Sequence, residues 1–97
     1  MPLTSKQRQF LRGLAHPLEP VVRLGRAGIT PSVIEETKRS LNAHELIKVR
    51  IENDDSAERK SIAADLATAS GAELAGTIGK LAILYRPRDE DPEIELP

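Results

Sequence analysis

The chain has 97 residues, no cysteine and a formal net charge of −1. A chain this short forms one domain with a modest core, which excludes a deep cleft between domains, and the lack of cysteine excludes a disulfide framework or a thiolate zinc site. No apolar run approaches the roughly 20 residues that span a bilayer, and the N-terminus lacks a charged stretch followed by an apolar signal core, so a soluble, cytoplasmic protein is expected.

Thr4 with Gln7 three residues later has the form of a capping box. Phe10, Leu11 and Leu14 then share one helical face, which predicts a first helix from about Ser5 to Ala15 with Phe10 in the core. Pro17 and Pro20 end it, because proline disfavours helical geometry in the residue before it. The β-branched segment Val21 to Leu24 reads as a strand closed by Gly25. Thr30 caps a second helix opening at Pro31, where the missing N–H is harmless, and Val33, Ile34, Thr37 and Leu41 form its apolar face. From Leu46 the period changes to two. Ile47, Val49 and Ile51 point one way and Lys48, Arg50 and Glu52 the other, a half-buried strand with a basic outer face. Asp55 with Glu58 caps a third helix that runs to Gly71, and the alternating segment around Gly79-Lys80 predicts a final hairpin.

The order is therefore α-β-α-β-α-β-β. It implies a compact α/β domain with a four-stranded mixed sheet packed by helices. Residues 1–87 form that domain, and 88–97, proline-containing and acidic, are expected to be a flexible tail.

The near-zero net charge hides an asymmetry. Residues 1–50 carry nine Lys or Arg against four Asp or Glu, a balance of +5, whereas residues 51–97 carry five against eleven, a balance of −6. Five of those acids fall in the last nine residues, DEDPEIELP. A basic half points to a polyanionic partner, against the plainer alternative of a solvated surface with an acidic tail.

Catalytic constellations are sparse. No serine sits in a nucleophile elbow, and His16 and His44 fall near helix ends with no third ligand or orienting partner at suitable spacing. A non-enzymatic protein without metal or cofactor is expected. The informative segment is RLGRAGITPSV, in which Gly25-Arg26-Ala27-Gly28 leads from a strand into a helix. Peptide N–H groups at such a helix start favour phosphate, and glycines let another backbone approach. The spacing fits neither a P-loop nor a dinucleotide fingerprint; it fits the G-x-x-G loop by which one class of RNA-binding modules clamps a nucleic-acid backbone. Arg23 flanks the loop, Lys6, Arg8 and Arg12 recur on the first helix, Lys38 and Arg39 lie along the second, and Lys48 and Arg50 line the second strand. Together they predict a phosphate-contacting, salt-dependent RNA surface. With few aromatics, backbone and shape contacts should dominate over base stacking.

The blocks LTSKQRQFLRGLAH, PVVRLGRAGITPSV, AHELIKVRI and GAELAGTIGKLAILYRP, in that order, resemble the YhbY family of small bacterial proteins, the stand-alone form of the CRM domain (chloroplast RNA splicing and ribosome maturation). The resemblance covers Leu3 to Pro87. It implies a fold similar to the C-terminal domain of bacterial translation initiation factor three. It also implies an RNA-binding domain associated with precursors of the large ribosomal subunit and a role in their assembly, and a monomer that docks on structured ribosomal RNA and acts on no small-molecule substrate is expected. The family's glycine loop maps to Gly25–Gly28, with Arg26 where lysine is common, and its basic first helix to Lys6, Arg8 and Arg12. Gly76-Thr77 departs from the family's usual larger apolar residue and glutamine. A protein–protein adaptor and a small enzyme acting on a phosphorylated metabolite are the competing expectations.

Overall fold

The computed structural model describes residues 2–97. Its elements follow the expected order: α1 (Ser5–Ala15), β1 (Pro20–Leu24), α2 (Pro31–His44), β2 (Leu46–Ile51), α3 (Ser56–Ser70), β3 (Glu73–Ile78) and β4 (Leu81–Tyr85). Each helix begins where a side chain can take an orphan amide. Thr4 and Gln7 make a reciprocal capping box, Thr30 accepts from Val33 N ahead of Pro31, and Asp55 accepts from Glu58 N. Gly71 ends α3 in the left-handed conformation at φ 68°, which glycine adopts without strain.

The four strands lie in the order β1-β2-β4-β3. β1 runs parallel to β2, and the other pairs are antiparallel. Period-two alternation then gives each face of the sheet its own core. Val22, Leu24, Ile47, Val49, Ile51, Ala82 and Leu84 face α2 and α3, where Leu41, Ala63, Leu66 and Ala67 complete the main cluster. Leu46, Ile83, Tyr85 and Ala75 face α1, against Leu11 and Ala15. The result is three layers, with α1 alone on one side.

The structure corrects the sequence reading in three places here. Phe10 is not in the core: it is 38% exposed, because α1 buries its Leu11/Ala15 stripe instead. Lys48 does not present a basic outer face, since α1 covers that side of β2. Residues 88–97 are not free. They fold back on the domain through Glu45, whose buried carboxylate accepts from the backbone N–H groups of Arg88 (2.8 Å), Glu93 (2.7 Å) and Ile94 (3.1 Å). Ile94 and Leu96 pack against the α1-side cluster with Leu3, and Gln7 Nε2 donates to the Pro97 carbonyl. Buried backbone and apolar side chains demand partners, and this segment finds them.

Candidate functional site

The loop Gly25–Gly28 closes as a turn, with Gly28 N donating to Gly25 O at 3.1 Å. Gly28 has φ 68°, a conformation open to glycine and strained for other residues. A Cβ at Gly25 or Gly28 would meet nothing within 4 Å. The loop therefore faces open space, and Arg26 and Ala27 at its tip are exposed. Directly after it, the Thr30 cap and Pro31 begin α2, so the positive end of the helix lies beside the loop. Behind the loop is a recess of about 220 Å³ lined by Leu24, Gly25, Arg26, Gly28, Ile51, Glu52, Asn53 and Ile62.

The adjoining strand ends add charge. Arg23 pairs in register with Arg50, which places the two guanidinium-bearing residues side by side on the same face of the sheet as α1. Arg50 is bonded to Glu52, and Lys80 lies 3.9 Å from Glu52 Oε2 and 3.3 Å from Asp54. The Arg50 hydrogen bond, opposed by partial desolvation and aided by the charges of Arg50, Lys80 and Arg23, holds the Glu52 carboxyl below its ordinary range. Three cations thus meet two carboxylates, Glu52 and Asp54, next to the loop, which with Arg26 at its tip leaves the patch net positive.

The other expected contacts are dispersed. Lys48 is 8% exposed, and its Nζ donates to His16 O and Leu18 O, both at 3.0 Å, so its ammonium serves the α1–β1 connection and is not free to meet a phosphate. Arg12 lies over β3, where Nη1 donates to Ala75 O at 3.1 Å. Arg8 Nη1 donates to Leu3 O within α1's own start. That start lies at the Tyr85 end of the sheet, where Leu3 and Gln7 line a recess with Glu73 and Leu96. The loop follows the opposite end, at Leu24 and Ile51. The five residue steps from Leu46 to Ile51 along β2 correspond to about 17 Å, so Lys6 and Arg8 do not join the loop. Lys38 and Arg39 are exposed on α2, about two turns from the loop. Lys80 and Glu52 are the neighbours that sequence reasoning missed. Only the hairpin turn at Gly79-Lys80 hinted at one of them, since nothing local shows which strand end it would approach.

Among the described residues, no group of three or more His, Cys, Asp or Glu side chains could hold a metal ion, and no helix is long and apolar enough to cross a membrane. The model of the CRS1/YhbY (CRM) domain matches residues 3–86. The chain belongs to the CRS1/YhbY family. A Haemophilus influenzae protein named as an RNA-binding protein is 44% identical over 95 residues, covering 98% of this chain and 95% of that one. A Bacillus subtilis relative, named probable RNA-binding protein YqeI, is 37% identical and covers 98% and 99%. The solution structure of the hypothetical protein SAV1595 from Staphylococcus aureus superposes with a TM-score of 0.88 at 38% identity, covering 98% of this chain and 99% of that one. The CRM match ends at Arg86, so the segment held by Glu45 lies outside it. Glycine at position 76 has a physical reason in the packing. A Cβ there would stand 2.9 Å from Arg12 Cδ, so the missing side chain admits the Arg12 stem over the β3 bulge between Leu74 and Gly76.

Proposed function

We propose that this CRS1/YhbY-family protein is a non-catalytic RNA-binding protein whose Gly25–Gly28 loop grips an RNA phosphate. The observation that carries the reading is the open, exposed glycine loop with Arg26 at its tip and the capped start of α2 beside it. The names of the relatives support the RNA assignment. Arg23, Arg50 and Lys80 extend the contact to neighbouring phosphates, and Lys38 and Arg39 extend it along α2. Such a surface reads backbone geometry and charge, which suits structured RNA. The family resemblance points to ribosomal RNA in large-subunit precursors, met in the cytoplasm by residues 1–87 as a monomer.

The test is the pair of substitutions Arg26→Asp/Ala27→Asp. Both positions are exposed, so the variant should fold, and the added carboxylates should repel phosphate and weaken RNA binding about tenfold or more. Co-sedimentation of the wild type with large-subunit precursors on a density gradient, lost in the folded variant, would support the full reading. An unchanged RNA affinity in the folded variant would overturn the loop assignment.

A further inference from the structure

At the end of the sheet away from the loop, a groove of about 440 Å³ runs between the C-terminal half of α1, the start of β1 and the docked tail. Leu14, Leu18, Val21 and Ile94 supply its apolar lining, and the two formally charged side chains on it are acidic: Glu19, and Glu93, which Arg88 pairs at 3.2 Å. Leu14 is 42% exposed and Val21 43%, a large apolar surface to leave facing water in a domain of this size. Phe10, one turn before Leu14, continues the stripe along α1.

The surroundings select the occupant. The Glu19 carboxylate at the rim repels a phosphate backbone and, among the described residues, no cationic side chain lines the groove, so it does not extend the RNA surface. β1 is an edge strand, but Pro20 lacks an N–H, and the irregular register between Pro20 and Val22 breaks the ladder that an added strand would need. Side chains rather than backbone must therefore make the contact. An apolar groove with an acidic rim matches a helix carrying an apolar stripe flanked by lysine or arginine. The rim is held in place because Glu45 fixes the backbone of Glu93 and Ile94.

We propose that this groove docks a basic amphipathic helix of a protein partner. Its apolar side chains enter between Leu14, Leu18, Val21 and Ile94, and its cations meet Glu19 and share Glu93 with Arg88. Because the groove and the Gly25–Gly28 loop lie at opposite ends of the sheet, the chain can hold this helix and an RNA at once.

The probe is a synthetic peptide of about 18 residues, long enough to populate a helix, with leucines on one face and lysines elsewhere. Two controls accompany it: an isomer with the leucines spread around the helix, and a version with glutamate for lysine. The full chain should bind the amphipathic lysine peptide about tenfold more tightly than either control. Leu14→Glu/Val21→Glu should abolish that preference, and Glu19→Lys/Glu93→Gln should remove the discrimination between the lysine and glutamate versions. Equal binding of the isomer, or undiminished binding by a folded Leu14→Glu/Val21→Glu variant, would overturn the proposal. So would a wild-type dimer in sedimentation equilibrium that this variant dissociates, because the occupant would then be a second copy of the chain. The variants leave the glycine loop intact, so their RNA affinity reports separately on the RNA-binding reading.

Discussion

At the residue scale, two lysine and arginine positions two apart on one strand have opposite roles. Lys48 satisfies the carbonyls of His16 and Leu18 from beneath α1, whereas Arg50 bonds Glu52 at the loop end. Removing a buried charged donor leaves its acceptors unpaired, at about 1.5–3 kcal/mol, while an exposed ion pair is worth about 0–1 kcal/mol. Lys48→Ala should therefore lower Tm by about 10 °C, given about 4–8 °C per kcal/mol in a domain of this size. Its RNA affinity, measured well below that Tm, should stay unchanged. Arg50→Ala should do the reverse, leaving Tm within a few degrees and weakening RNA binding severalfold. If Lys48→Ala impairs binding in the cold, folded state, the buried placement of its ammonium is wrong. Gly28 supplies a third case. Its φ of 68° makes Gly28→Ala strained although space is free, with an expected loss of about 1 kcal/mol in a thermal melt together with weaker RNA binding.

At the element scale, the tail behaves as an eighth element without secondary structure, and its clasp is Glu45. Burial pushes the Glu45 carboxyl up, but the N–H groups of Arg88, Glu93 and Ile94 and the Arg88 charge outweigh that and hold it below the ordinary carboxylate range. A depressed folded-state pKa means stability that is present above the ordinary carboxylate pKa and is lost as pH falls through the folded value. The Tm gap between the wild type and Glu45→Gln should thus be open at neutral pH and close progressively below about pH 4.5. A gap that is constant with pH would show that the clasp does not depend on charge. Deleting residues 88–97 should cost more than the substitution, because it uncovers the contacts of Ile94 and Leu96 as well as stranding the carboxylate. None of this was legible in the sequence, since the partners of Glu45 lie 43, 48 and 49 residues further on. The helix starts were legible because a cap acts within three residues, as at Thr4 and Gln7, Thr30 and Val33, and Asp55 and Glu58. The same distinction divides the site. Gly25–Gly28 announces itself locally, whereas the convergence of Arg23, Arg50, Glu52 and Lys80 depends on strand order. The covering of Lys48 depends on a carbonyl 32 residues earlier.

At the scale of the whole molecule, the docked tail turns a sequence asymmetry into a spatial one. Asp89, Glu90, Asp91, Glu93 and Glu95 are held at the Leu46/Tyr85 end of the sheet, while Arg23, Arg26, Arg50 and Lys80 gather at the other, about 17 Å away along β2. The distance decides how the two ends influence each other. At about 0.15 M salt the Debye length is about 8 Å, so the acids are screened from a phosphate at the loop; at about 0.01 M it is about 30 Å and they are not. Because backbone N–H groups rather than these carboxylates bind Glu45, Asp89→Asn/Glu90→Gln/Asp91→Asn/Glu95→Gln should leave the tail docked. This variant should bind RNA like the wild type at about 0.15 M salt and associate severalfold faster at about 0.01 M. Stopped-flow association measured across that range separates this long-range field from direct competition. A tail that competed for the loop would slow RNA association at every salt concentration, and neutralising it would then speed binding even at about 0.15 M, which the geometry of the clasp rules out.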